Sequence, residues 1–397
     1  MGQILEDDNK FLLNVYNRLG LEIVDSEGSY LIDSDGKHYL DMFSGIAVNS
    51  LGYSDTGLKA EIKDQLDKYI HLSNYFASKP VTELARLLVE NTQAAGVFFA
   101  NSGSEANEAA FKLARLYAKS INKDKIEFLA AKDGFHGRTA GSLSLTGREK
   151  YRDKFAPLLP HIKHFDFNNS KDLRDKVSDN TAAVFLEIIQ GEGGVHEISR
   201  EFITTVKKLS QKYNFLVIVD EIQTGMGRTG KFLASDYYDF EPDLLTLAKS
   251  LGGGLPLGAL LVSEKLKDVF SPGDHGSTFG GNPVACAAGA YMVETIADDN
   301  FLARLQKKSS FLITELMRLK TDYPRIIKDI RGRGLMLGVE CGLRAVDIKK
   351  RALKENLLLN VTDNTVIRLL PPLNIKKKEL EKFIEIMEKL IAGVARE

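Results

Sequence analysis

The sequence predicts an α/β protein: a large domain built on a mostly parallel central sheet, with a smaller α+β domain beside it. Three observations predict it. The runs GVFFA (96–100), AAVFLEII (182–189) and FLVIV (215–219) are continuously apolar. They lack the polar alternation of a half-exposed strand, as strands covered on both faces do. Helical stretches separate them, which is the spacing that βαβ units require. After about residue 280 the pattern changes to long helices and short strands, ending in an amphipathic helix.

The elements follow in order. Residues 21–42 read as short strands, with Ser34-Asp35-Gly36 as a hairpin-type turn. Leu58, Ile62, Leu66 and Ile70 recur on one helix face, and Pro80 opens the next helix at a favoured first-turn position. The strand 96–100 runs into Ser102-Gly103-Ser104 and then a helix whose apolar face is Ala106, Ala109, Ala110, Leu113, Ala114 and Tyr117. Residues 244–248 form another apolar strand, ending at Lys249. Helices are expected over 283–298 and 300–320, and strands over 334–340 and 365–370. In the last helix, Leu380, Phe383, Ile384, Met387, Leu390 and Ile391 share a face, and the lysines at 376–378 are its solvated start. The expected division is 1–54 as an N-terminal segment joining the small domain, 55–280 as the large domain, and 281–397 as the C-terminal small domain.

Bulk properties exclude several classes. The 397 residues are 44% hydrophobic and 27% charged, as in soluble globular proteins, and suffice for two or three cores. A net charge of −1 gives no bulk attraction to nucleic acid or an anionic membrane. No apolar run reaches the ~18 residues of a membrane span. The opening MGQILEDDNK shows no secretory pattern, and Glu6 stands where a myristoylation motif wants Ser or Thr. Two cysteines 55 residues apart, Cys286 and Cys341, give no disulfide framework or zinc spacing, so a cytoplasmic protein is expected. His161 and His164 have a metal-like gap without an acidic or thiol partner, and read as a surface loop. No metal is expected.

The stretch FLVIVDEIQTGMGRTGKF (215–232) contains G-x-x-x-x-G-K after an apolar strand ending in Asp-Glu, which suggests a nucleotide loop. The context argues against one. A P-loop needs a hydroxyl after its Lys to hold Mg²⁺, and Phe232 is there. Five residues separate Val219 from Gly225, and the sequence that follows is a poor helix.

Other residues supply a different ligand. Asp220 ends a buried strand at the sheet edge where α/β folds bind ligands. Lys249 ends a second such strand, where burial favours the neutral, nucleophilic amine. Ser102 and Glu105 have capping-box spacing, and the glycine and serine between them open a helix whose free N–H groups suit a phosphate. Each feature alone has a bland reading: a surface lysine, or a well-capped helix. Together they describe a phosphate-bearing ring with a basic nitrogen and an aldehyde, pyridoxal 5'-phosphate, with Asp220 on the ring nitrogen and Lys249 on the aldehyde.

At these residues the sequence resembles the class III (ω-amino acid) aminotransferases of the fold-type I pyridoxal phosphate superfamily. Seven segments carry the resemblance over nearly the whole chain: SGSEANEAAFKLAR, GFHGRTAGSLS, EIIQGEGGV, VDEIQTGMGRTGKF, LAKSLGGGLPLGA, GSTFGGNPVACAA and VIRLLPPL. Within the family it is most similar to members acting on N-acetylornithine and 2-oxoglutarate, forming N-acetylglutamate 5-semialdehyde and glutamate in arginine biosynthesis.

The resemblance implies roles. Gly103 and Ser104 cradle the phosphate. Phe135 stacks on one ring face and Ile222 packs on the other. Gln223 bonds near the phenolic oxygen. Thr278 reaches the phosphate of the neighbouring subunit, so a homodimer with shared sites is implied, and Ser277 contacts substrate from the partner. Arg368 pairs with an α-carboxylate. Glu192 pairs with Arg368 while a δ-amino group enters, and Arg138 is a second carboxylate- or acyl-side contact. Lys249 moves the proton between substrate and cofactor in a ping-pong reaction. Glu187-Ile188 departs from the usual Glu-Pro with little expected effect, and the glycine loop becomes scaffold. The rival expectations are another ω-amine donor (ornithine, succinylornithine or 4-aminobutyrate) and an inactive cofactor-binding regulator.

Overall fold

The structure is a computed structural model that describes residues 2–396. Its central sheet has seven strands in the order Gly96–Ala100, Gly258–Val262, Leu244–Leu247, Leu216–Asp220, Thr181–Glu187, Glu127–Ala131, Ile162–Phe165. Only Gly258–Val262 runs against the rest; it pairs antiparallel with both of its neighbours. The other pairings are parallel. Every residue of Leu216–Asp220 and Thr181–Glu187 is buried, which is why these runs carry no polar alternation.

Helices cover both faces. On one, Ala109, Ala110, Leu113 and Ala114 of helix Gly103–Ile121 meet Phe128, Ala130, Phe185 and Ile218. On the other, Phe202, Val206 and Leu209 of helix Arg200–Tyr213 meet Leu129, Val184, Leu186 and Val217. Successive strand residues thus divide between two cores, the period-two geometry of a pleated strand.

Two smaller sheets flank this one. Asp329–Arg333, Met336–Glu340, Val366–Leu369 and Asn360–Thr362 form an antiparallel sheet. The N-terminal strands Ile23–Glu27, Tyr30–Asp33 and His38–Asp41 form another, extended by Leu357–Leu358, which lies parallel to His38–Asp41. Near the turn between the second and third N-terminal strands, Asp33 accepts the backbone N–H groups of Asp35 and Lys37. The long helices are Pro283–Ala297, Asp299–Asp322 and Lys377–Ala395. Among the described residues, no helix is long and apolar enough to cross a membrane.

Some readings change. The run at 182–189 ends as a sheet strand at Glu187; Ile189–Gln190 instead pairs with His196–Glu197. The helix carrying Leu58 and Ile62 stops at Leu66, so Leu66 and Ile70 do not extend a buried stripe and are exposed. His164 lies in a sheet strand and not in a loop. Its half-buried ring meets Arg152, and burial together with that guanidinium pushes its pKa down to about 4.

The glycine loop after Leu216–Asp220 opens no helix. Its glycines allow tight turns: Gly227 has φ +77°, and a Cβ there would lie 2.6 Å from Ile296. Two charged groups hold it. The buried Glu221 carboxylate accepts the Thr224 hydroxyl (2.5 Å) and the backbone N–H groups of Ala234 and Ser235 (3.0 and 2.7 Å). The buried Arg228 guanidinium donates to Leu335 O (3.1 Å), Pro371 O (2.6 Å) and Ser50 Oγ (3.2 Å). One side chain therefore ties the central sheet to both flanking regions.

We expect Arg228→Met to leave these acceptors unpaired in a dry interior and to cost about 3 kcal/mol or more of stability. Equilibrium denaturation checks this; an unchanged midpoint would show that water replaces the guanidinium without cost.

Candidate active site

The parallel strands end their carboxyl termini at one edge of the sheet, above which a cleft of about 570 Å³ opens. It gathers Gly103, Ser104, Phe135, Arg138, Glu192, Asp220, Ile222, Gln223 and Lys249 from segments distant in sequence. Arg368 joins them through its bonds to Glu192 and Gln223. Ser277 and Thr278 do not join the cleft. They line a separate depression beside Asn101 and Glu105, where Ser277 Oγ accepts Asn101 Nδ2 (3.1 Å) and Thr278 is exposed.

Asp220 is the last residue of its strand and is almost fully buried. Its Oδ2 accepts Asn107 Nδ2 (2.8 Å) and His136 Nδ1 (2.9 Å), and its Oδ1 accepts the backbone N–H of Ile222 (3.1 Å). Asn107 is fixed in turn: it donates to His136 O (2.7 Å) and accepts the Thr246 hydroxyl (2.9 Å). Burial lowers the His136 pKa, but the bond to Asp220 and its charge outweigh this and leave it raised. A carboxylate offers about four lone-pair sites. Three are taken, so one donor more is accommodated.

Lys249 follows Leu244–Leu247 with φ +50°, a left-handed conformation that costs a non-glycine residue energy and often marks functional positions. The residue keeps some exposure toward the cleft, while its amine is enclosed. Burial pushes the amine's pKa down to about 8, against the opposing charge of Asp220. Glu187, at the end of the adjacent strand, accepts the Phe135 N–H (2.9 Å), and burial pushes it up to about 7.

The helix Gly103–Ile121 begins at the cleft. Ser102 Oγ caps the Glu105 N–H (3.2 Å), whereas the Glu105 carboxylate reaches back to the N–H of Asn101 (2.6 Å), one residue beyond the usual capping box. A Cβ at Gly103 would lie 2.7 Å from Ile222 Cδ1, so glycine is what lets Ile222 pack against the helix start. Ser104 Oγ accepts the Arg138 N–H (3.2 Å). The Arg138 guanidinium lies over Tyr151 (4.0 Å), which meets Phe135 edge-on at 5.9 Å.

Arg368, in Val366–Leu369, has a buried side chain. Its Nη1 pairs with Glu192 Oε1 (2.7 Å) and donates to Gln223 Oε1 (3.2 Å); its Nε donates to Asn360 Oδ1 (3.0 Å). Burial raises the Glu192 pKa, but Arg368 outweighs that and holds it below the usual carboxylate range.

Sequence reasoning missed Asn107, His136, Tyr151 and the burial of Glu187. Two signals were available: a lone Asn among alanines on an apolar helix face, and a histidine adjoining Phe135.

The fold and the cleft define a pyridoxal 5'-phosphate-dependent transferase. The group fits this donor set: the helix start offers N–H groups to a phosphate, Asp220 has an acceptor site left for a ring N–H, and Lys249 presents an enclosed amine. The family model of aminotransferase class-III matches residues 14–391, and the chain belongs to that family of pyridoxal phosphate-dependent enzymes. It is 43% identical to the acetylornithine aminotransferase of Caldanaerobacter subterraneus subsp. tengcongensis, over 98% of each chain. It is 40% identical to that of Methanocaldococcus jannaschii, again over 98% of each. Among solved structures, the ornithine aminotransferase of Toxoplasma gondii ME49 superposes with a TM-score of 0.94 at 30% identity, covering 99% of this chain and 95% of that one. The N-acetylornithine aminotransferase of Stenotrophomonas maltophilia K279a gives 0.85 at 32%, covering 98% and 99%.

The Lys249 amine is protonated below a pH of about 8 and free above it. The rate at which cofactor-free protein captures pyridoxal phosphate should therefore rise through about pH 8 and then level off. An ordinary lysine, near 10.4, would level off much later. Stopped-flow absorbance measures it; a rate still climbing steeply at about pH 10 would contradict the enclosure.

Proposed function

We propose that this chain transfers the δ-amino group of N-acetylornithine to 2-oxoglutarate, giving N-acetylglutamate 5-semialdehyde and glutamate in arginine biosynthesis. The pairing of a buried Arg368 with a mostly enclosed Glu192 is the observation that carries the reading. A δ-amino donor presents no carboxylate beside its reacting carbon, and Glu192 neutralises Arg368 while it enters. 2-Oxoglutarate does present a carboxylate there, for which the Arg368 fork is suited once Glu192 leaves. The acetylornithine aminotransferases at about 40% identity over nearly the whole chain support the same donor.

The residues divide the work. Pyridoxal phosphate, when bound, supplies an electron sink conjugated with the carbon that loses its proton. Gly103 and Ser104 would hold its phosphate, Phe135 and Ile222 would enclose its ring, and Gln223 would bond at the ring oxygen. Asp220, oriented by Asn107 and His136, would accept the ring nitrogen's proton in a hydrogen bond. The Lys249 amine would take the proton from the donor's δ-carbon and hold it for return, work suited to a lowered pKa. Arg138, stacked on Tyr151, receives the distal carboxylate or acyl end.

Ser277 and Thr278 are proposed to serve the cleft of a second copy in a homodimer. In support, the exposed Phe279 beside them and the nearby exposed Ile70, Tyr75 and Phe76 offer an apolar surface. A cytoplasmic setting suits the two unpaired, buried cysteines.

Lys249→Ala should abolish multiple-turnover transamination; retention of full turnover would overturn the proton role. Steady-state kinetics with 2-oxoglutarate should give kcat/KM for N-acetylornithine about tenfold or more above ornithine, succinylornithine and 4-aminobutyrate. A clear preference for free ornithine would overturn the donor assignment. Sedimentation should give twice the chain mass, and a monomer with full activity would remove Ser277 and Thr278 from the site.

A further inference from the structure

The proposed exchange of partners on Arg368 leaves a question of charge. Glu192 sits with its carboxylate mostly enclosed and in the ionised form. When Arg368 turns to an incoming carboxylate, Glu192 would be stranded as an uncompensated charge in a poorly hydrated site, which is strongly unfavourable.

The backbone cannot carry it away. The Glu192 carbonyl accepts two donors, the Arg148 Nη1 and the Thr362 hydroxyl (2.5 Å). Two residues on, the Gly194 carbonyl accepts Arg331 Nε (2.7 Å), and the Val195 N–H bonds back to Gln190 O (2.9 Å). On the other side, a Cβ at Gly191 would lie 2.0 Å from Gln223 Oε1, so the chain is packed against the cleft wall. Movement of Glu192 is therefore confined to its side-chain bonds.

We propose that Arg148 is the second resting place of the Glu192 carboxylate: when a dicarboxylate takes Arg368, Glu192 rotates and pairs with Arg148. Arg148 already touches the main chain of Glu192, so its guanidinium lies within a side chain's length of the carboxylate. It is itself buried, and its Nη2 is paired with Asp363 Oδ1 (2.8 Å). Asp363 is half exposed, so releasing it to water costs little, whereas the mostly enclosed Glu192 carboxylate has less recourse to water. Arg148 thus trades a weak, solvated partner for a confined one. This rests on the Arg368–Glu192 exchange proposed above, and makes Arg148 a positioning residue for the acceptor half of the reaction.

The test uses the holoenzyme. Single-turnover absorbance gives the rates of the N-acetylornithine and 2-oxoglutarate half-reactions separately. Calorimetry gives the Kd of glutarate, a dicarboxylate without a reactive carbonyl. Arg148→Met should slow the 2-oxoglutarate half about tenfold more than the other and weaken glutarate binding about tenfold. Arg148→Lys, which keeps the charge, should recover most of the glutarate affinity. Equal slowing of both halves would overturn the proposal. So would the same selectivity in Thr362→Val, which loses a carbonyl contact and no charge. Glu192→Gln separates the two ideas. If it leaves the balance between the halves unchanged, the exchange on Arg368 fails and Arg148's role with it. If it shifts the balance while Arg148→Met does not, only the role of Arg148 fails.

Discussion

A lysine amine enclosed at the carboxyl edge of a parallel sheet is the constraint on which the rest of the structure depends. Lys249 needs enough desolvation to be a base near neutral pH, yet it shares the cleft with Asp220, Glu187, Glu192 and Arg368. Each acid is handled differently. Asp220 is anchored by Asn107, His136 and a backbone N–H. Glu192 is held ionised by Arg368. Glu187, with one backbone donor, is pushed up to about 7 by burial, against the opposing charges of His136 and Lys249. Neighbouring groups of one type are thereby driven toward different protonation, which is how a single pocket can hold both a base and fixed charges at one pH.

The cleft has two halves that come from different sheets. The central sheet presents Asp220, Lys249 and the helix start at Gly103. The antiparallel sheet brings Arg368, Asn360 and Thr362 to the opposite wall. Their registration depends on the loop after Asp220. Glu221 shapes that loop, and Arg228 reaches from it to the Leu335 and Pro371 carbonyls at one end of the second sheet and to Ser50. The glycine pattern that imitates a nucleotide loop is therefore a joint between the halves. Its lysine, Lys231, is spent on the Asp236 carbonyl (2.6 Å).

What was legible in the sequence was local. Fully apolar runs marked the central strands, and a strand's last residue is necessarily at the ligand edge, so Asp220 and Lys249 could be reasoned from position and chemistry. The partners of Asp220 could not. Asn107 lies 113 residues away and His136 lies 84 away, and nothing in either segment states which carboxylate it will meet. Arg368 and Glu192 were visible only through resemblance, because an arginine in a short strand carries no signal of burial. The extended apolar stripe at Leu66 and Ile70 failed for a related reason: periodicity reports that a face is apolar, without saying that this chain covers it.

The pairing of Arg368 with Glu192 also bears on why the cleft keeps such a pair. Two charges removed from water recover little net stability from each other, and apolar residues of similar size commonly serve a fold as well or better. Stability is therefore a poor reason for burying this bridge beside a lysine already burdened by desolvation. On the proposed exchange, a pair that opens would give what an apolar wall cannot: one surface that is neutral toward an ω-amine and cationic toward a carboxylate. The cost is an acid that must go somewhere when the bridge opens. The backbone of Glu192 is clamped from both sheets, so the choice is limited to cations within the sweep of its side chain. The proposed exchange would thus tie the chemistry of the second substrate to the second sheet: the clamp that fixes Glu192 includes Thr362, and the same sheet supplies Arg368.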